Sequence, residues 1–123
     1  MRMVFMAYLK GSVEAVDFYC KAFNAESRCY KAADDDDFYA HAEIYINDQT
    51  ILGISDTAYY DTEFPKGKNM EFWLIFDDEQ SLRAAYDVLQ DGAEIHQPLA
   101  PCEWSKAMAA LTDKYGINWL LNI

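Results

Sequence analysis

An apolar pattern that recurs 67 residues further along constrains this chain more than any other feature of its sequence. Ala15, Phe18, Tyr19 and Ala22 fall on Leu82, Ala85, Tyr86 and Leu89 at that constant offset, and Ala25-Glu26 matches Ala93-Glu94 with one residue slipped. Amphipathic helices resemble one another by construction, so this match alone is weak. The order of elements around it makes duplication the better explanation: in each half a strand leads to a helix, and the helix to further strands.

In the first half, Arg2 to Leu9 is a run of bulky apolar residues that stops at Lys10-Gly11-Ser12, where Ser12 is a candidate N-cap. The helix that follows buries Ala15, Phe18, Tyr19, Ala22 and Phe23, with Glu14, Asp17 and Lys21 between them. Glu26 to Lys31 and Phe38 to Ile46 read as strands joined by a solvated turn at Asp34 to Asp37. That Asp run lacks the alternating ligands and central Gly of a calcium loop. Thr50 to Ser55 is the next strand, after the polar turn Asn47-Asp48-Gln49. Asp56 to Asn69 has no clear period and reads as a long connection.

The pattern then restarts. Met70 to Phe76 predicts a strand, Glu79 to Gln90 a helix with Leu82, Ala85, Tyr86 and Leu89 inward, and Asp91-Gly92 a helix stop. Ala93 to Gln97, Ser105 to Thr112 and Ile117 to Ile123 are the closing strands. The chain is thus expected to be one α+β domain over residues 1–123. It comprises a βαβββ module at 1–56, a connecting segment at 57–69 and a second module at 70–123.

Composition narrows the partners. With 52% hydrophobic residues the chain is far from disordered, and a net charge of −11 repels the phosphates that any nucleic-acid binder must neutralise. Nucleic acid and membranes are therefore not expected partners. A cationic ligand suits that field, although surface carboxylates serve solubility in any protein. Cys20, Cys29 and Cys102 are odd in number and lack zinc-site spacing, which predicts reduced thiols in a cytoplasmic protein. Val4 to Leu9 is too short to span a bilayer, and no small-residue cleavage pattern follows it.

Ala15-Val16-Asp17-Phe18-Tyr19 through Ala22-Phe23-Asn24-Ala25-Glu26 resembles the opening helix of PhnB-like proteins in the glyoxalase/bleomycin-resistance/dioxygenase, or vicinal-oxygen-chelate, superfamily. Those relatives usually carry Gly where this chain has Asn24. His41-Ala42-Glu43-Ile44 through the Ser55-Asp56 pair is similar to their third and fourth strands. Trp104, Thr112-Asp113, Tyr115-Gly116 and Trp119 through Asn122 stand at the spacing of their closing hairpin, with Ser105 where Gly is common. The resemblance implies two βαβββ modules forming a curved mixed sheet around a cavity, with helices outside.

Strand alternation within that fold points Ala42, Ile44 and Ile46 at a helix and leaves His41, Glu43 and Tyr45 on the cavity side. Glu71, Trp73 and Ile75 share a face opposite Phe72, Leu74 and Phe76. His41, Glu43, Tyr45, Glu71 and Trp73 are therefore the candidate ligand-binding residues, expected to line one shared space. His41 is the best single group for proton transfer, yet one His beside one Glu is common in half-buried strands, so no catalytic residue is assigned. Met6 and Tyr8 would add to the lining, and Tyr59, Tyr60 and Phe64 would cap it. Core packing explains these aromatics equally well, and it is the reading preferred for Trp104 and Trp119. His96, at a strand end, is expected to be exposed.

Metal-dependent members place ligands on four strands. By resemblance those positions fall near Val4, Leu52-Gly53, Glu71 and Leu120, of which only Glu71 offers a donor. An alternative site of His41, Glu43 and Glu71 requires convergence from separate strands. No Gly-rich loop follows a strand to cradle a nucleotide, so neither a metal nor an organic cofactor is expected. Two readings stay open: a metal-free protein that binds or sequesters a cationic or aromatic small molecule, and a metal-dependent glyoxalase- or dioxygenase-type enzyme. Homodimers are expected, because small two-module sheets expose strand edges.

Overall fold

The computed structural model describes residues 4–60, 67 and 70–123. Arg2, Phe64 and Pro65, and most of the expected connecting segment, lie outside the described residues. The chain divides into two compact units, Met1–Pro65 and Lys66–Ile123.

The first unit runs β1 (Met6–Leu9), α1 (Ser12–Phe23), β2 (Glu26–Tyr30), β3 (His41–Ile46), β4 (Gln49–Asp56) and α2 (Thr57–Tyr60). Its sheet has the order β1-β4-β3-β2, with β1 parallel to β4 and the other pairs antiparallel. The second unit runs β5 (Phe72–Ile75), α3 (Glu79–Leu89), β6 (Glu94–Cys102), β7 (Ser105–Thr112) and β8 (Asn118–Asn122). Its order, β5-β8-β7-β6 with β5 parallel to β8, repeats the first. Each unit is one βαβββ module, and the chain is α+β.

Helix periodicity survives intact. Ala15, Phe18, Tyr19 and Ala22 are buried on α1, which packs on β2, β3 and β4; Leu82, Ala85 and Leu89 are fully buried on α3, which packs on β8. Asn24 ends α1 in the left-handed conformation at φ 50°, which explains how this chain manages without a glycine there: Asn tolerates that region better than most residues. Asn47 and Asp48, at φ 50° and 62°, form the tight turn between β3 and β4.

Several boundaries differ from the sequence reading. Ser12 is the first residue of α1 rather than its cap; Gly11 holds the cap position at φ 81°, and the Ser12 amide donates instead to Asp56 Oδ2 at 2.9 Å. β3 starts at His41, not Phe38, because the Tyr39 amide is taken by the Ser12 hydroxyl at 2.8 Å. β1 starts at Met6, after Val4 and Phe5. Thr57–Tyr60 is a helical turn where an irregular connection was expected, started by the Ala58 amide on Asp56 Oδ1 at 2.9 Å. β6 extends through Pro98 and Pro101 to Cys102. It is an edge strand whose pairing with β7 is broken by bulges, which is where residues lacking an N–H are tolerated.

Asp78 caps α3, its carboxylate accepting from the Ser81 amide at 2.7 Å and the Ser81 hydroxyl at 2.9 Å. These bonds hold its pKa below the ordinary 3.8. A lowered folded pKa contributes stability that is fully present above the ordinary value and is lost as pH falls through the folded one. Asp78→Ala is therefore expected to lower the melting temperature at neutral pH, with the gap from the parent protein closing as a titration series passes below pH 3.8. A gap constant with pH would show that the carboxylate charge does not contribute.

Candidate functional site

Each sheet has a helix-covered face and a helix-free face, and alternation along the strands assigns side chains to them. On β3, Ala42 and Ile44 are fully buried on the helix side, while His41, Glu43 and Tyr45 are half-buried on the other. Ile46 departs from the expected pattern: it is 38% exposed, because the strand ends there beyond the cover of α1. The helix-free face of the first unit therefore carries His41, Glu43 and Tyr45 together.

Their neighbours follow from register. Met6 pairs with Gly53, Gly53 with Glu43, and Glu43 with Arg28, so these four form one row across the sheet. Glu43 Oε1 accepts from Thr50 Oγ1 at 3.3 Å. The Arg28 guanidinium lies 4.2 Å from the centre of the Tyr45 ring and 3.5 Å from Asp48. Desolvation, then the Glu26 carboxylate, pushes the Tyr45 phenol above its usual pKa. The His41 ring stacks on Tyr30, with centroids 6.1 Å apart. His41 thus meets an aromatic ring, while the Glu43 carboxylate on the same face accepts from Thr50.

Tyr8, on the same face of β1, meets Tyr60 edge to face at 5.8 Å, and Tyr60 meets Tyr59 at 5.1 Å. Ser55, on β4, ties this corner to its strand: its hydroxyl donates to Ala40 O at 2.6 Å and lies 3.4 Å from the Tyr60 hydroxyl. Where Gly53 stands, an added Cβ would collide with the Met6 sulfur, so the thioether fills the space a larger side chain would need.

In the second unit, Trp73 and Ile75 are 59% and 66% exposed on the helix-free side of β5. The Trp73 indole N–H donates to Asn122 Oδ1 on β8, and the Asn122 amide donates to Ile123 O at 2.9 Å. This holds one edge of the indole while the residue stays more than half exposed. Trp73 pairs with Leu120, which is half-buried. Glu71 is exposed just before β5 begins, rather than within the strand as expected. Trp104 is 57% exposed in the two-residue turn between β6 and β7, so the structural role expected for it as a core anchor is corrected. Trp119, 2% exposed, does have that role. His96 is exposed and hydrogen-bonds Thr112 at 2.8 Å. Among the described residues no three His, Cys, Asp or Glu side chains are grouped as metal ligands, and no helix is long and apolar enough to cross a membrane.

Arg28, Thr50, Tyr30 and Asn122 were not singled out from the sequence. Only strand pairing brings them to His41, Glu43, Tyr45 and Trp73, and the ten-residue gap between β2 and β3 conceals the register of Arg28 and Tyr30. The Asn122 signal was present in the alternation of the last strand, two residues after Leu120.

The family described as Glyoxalase/Bleomycin resistance protein/Dioxygenase superfamily matches residues 8–121. No protein of curated function matches the sequence. Among solved structures, protein PA1353 from Pseudomonas aeruginosa is similar with a TM-score of 0.82 at 21% identity, covering 99% of this chain and 96% of that one. A PhnB protein from Bacillus cereus has a TM-score of 0.75 at 22% identity, covering 99% and 98%. A variant of the fosfomycin resistance protein FosX from Listeria monocytogenes, in complex with Mn(II) and 1S,2S-dihydroxypropylphosphonic acid, has a TM-score of 0.70 at 11% identity, covering 99% and 90%.

Proposed function

Because the chain belongs to the glyoxalase/bleomycin resistance protein/dioxygenase superfamily, we propose that it is a cytoplasmic small-molecule-binding protein that takes an aromatic or cationic compound without the superfamily's divalent metal. The observation that carries this reading is Trp73: a large aromatic side chain 59% exposed yet fixed along one edge by Asn122. An immobilised indole face is a recognition platform whose ordering does not have to occur on binding. His41, Glu43 and Tyr45 give the first unit a comparable polar and aromatic surface with Glu43 as its carboxylate, and Glu71 supplies a carboxylate in the second unit.

The donor set does not fit the superfamily's metal. The Met6 thioether fills the space at Gly53, Val4 and Leu120 carry no donor, and Glu71 by itself is too little to hold a divalent cation. A thermal-shift screen of divalent metals, cationic aromatics and carbonyl metabolites separates this reading from that of a metal-dependent enzyme, since a compound that binds the native state raises its melting temperature. Stabilisation by an aromatic cation, with no metal retained in elemental analysis, is the expected result. Stoichiometric manganese, zinc, nickel or iron that is lost in Glu71→Gln would reverse the reading. For the compound found, Trp73→Ala is expected to weaken binding about tenfold, from the roughly 1–2 kcal/mol of a cation or ring stacked on indole. Glu71→Gln should weaken binding chiefly when that compound is cationic.

We further propose a homodimer, since β1 and β2, and β5 and β6, are the outer strands of their own sheets. Sedimentation at micromolar concentration should show about twice the chain mass. A single species of 14.2 kDa would count against it.

A further inference from the structure

We infer that β2 is the strand through which two copies of this chain pair, running antiparallel about a two-fold axis at Ser27. The inference rests on the homodimer proposed above and names its interface. β2 is an outer strand of its sheet, all five of its residues are exposed, and among the described residues it pairs with β3 alone. Its other edge therefore presents backbone N–H and C=O groups that a further strand can pair.

The order of charges along β2 selects a second copy as the occupant. Glu26 and Arg28 stand two residues apart and share one face of the strand, where they pair with Tyr45 and Glu43 of β3. Residues directly opposite each other in an antiparallel pair also share a face. With the axis at Ser27, Glu26 lies opposite the partner's Arg28 and Arg28 opposite the partner's Glu26, so symmetry makes two ion pairs. Moving the axis to Glu26 sets carboxylate against carboxylate, and moving it to Arg28 sets guanidinium against guanidinium. The two charges that favour one register thus exclude its neighbours. Arg28 is available for this role: its ion partner Asp48, at 3.5 Å, has a side chain 91% exposed, and a surface pair of that kind is readily exchanged. The pairing also extends the candidate site of the first unit. The row from Met6 through Gly53 and Glu43 to Arg28 would run on into the partner's Glu26, which sets Arg28 between two carboxylates on the helix-free face.

Sedimentation across a concentration series tests this on the full chain, on Glu26→Arg, on Arg28→Glu and on an equimolar mixture of the two variants. Each variant alone turns both attractions into repulsions, so its association should weaken about tenfold or more. In the mixture, a dimer of one Glu26→Arg chain with one Arg28→Glu chain has opposite charges at both positions, so association should return to within about threefold of the parent. A parent that stays monomeric throughout the series overturns the homodimer and this inference together. A parent dimer that neither variant weakens leaves the homodimer standing and overturns its assignment to β2. Weakening in both variants without recovery in the mixture overturns the register at Ser27. Circular dichroism checks that each variant is folded. If a reversal disturbs the strand, Glu26→Gln and Arg28→Gln remove the charges without reversing them, and each should still weaken association; a dimer indifferent to both overturns the inference.

Discussion

Trp119→Ala is expected to destabilise the second unit by about 3–5 kcal/mol, the range for truncating a buried aromatic side chain. Trp119 is 2% exposed, tilts against Phe72 with ring centroids 5.0 Å apart, and donates its indole N–H to Asp113 Oδ2 at 2.7 Å. Asp113, itself 4% exposed, accepts from the Tyr115 and Ile117 amides at 2.9 and 3.0 Å through its other oxygen. That carboxylate organises the β7–β8 turn, where Gly116 adopts φ 87°. Truncating Trp119 therefore removes core volume and the donor that anchors the turn together.

Trp119→Phe separates the two effects. It keeps most of the apolar volume and loses the N–H, so its cost should be nearer the 1–3 kcal/mol of removing a partner from a buried polar group. Urea unfolding measures both variants. Equal losses for Phe and Ala would mean that the hydrogen bond, not the packing, dominates at this position.

Asp56→Ala is expected to cost about 3 kcal/mol, from two hydrogen bonds to a charged acceptor at roughly 1.5–3 kcal/mol each, partly offset by relaxation. Asp56 is 2% exposed at the end of β4 and accepts from the Ser12 amide with one oxygen and the Ala58 amide with the other, both at 2.9 Å. It thus supplies from a distant strand the anionic cap that α1 lacks locally, where the positive end of the helix dipole favours a carboxylate. Asp56→Asn retains one acceptor oxygen and should recover about half of the loss. If Asn proved as damaging as Ala, the charge at the helix end would be the main contribution.

Asp56 also marks how far the sequence could be read. The Ser55-Asp56 pair was legible as part of a family resemblance, but its physical work was not, because Ser12 and Asp56 lie 44 residues apart. A local rule looks for a cap within a few residues of the helix start and finds Ser12. The folded chain uses the carboxylate that the parallel pairing of β1 with β4 brings to that end. Trp73 shows the same division: its side of the strand was legible, whereas the amide that fixes its indole comes from β8.

What the sequence determined by itself was periodicity. Apolar spacing of three and four residues specified both helices, alternation divided Ala42 and Ile44 from His41 and Glu43, and recurrence at 67 residues announced two modules of one topology. Those signals are local, since they depend only on which side of an element a residue occupies. Tertiary structure decided register and pairing: the row from Met6 through Gly53 and Glu43 to Arg28, the passage of β6 across two prolines, and the exposure of Trp104 at a turn. Each depends on which strand lies alongside and at what offset. That choice is made by burying many side chains at once, so no single stretch of sequence carries it.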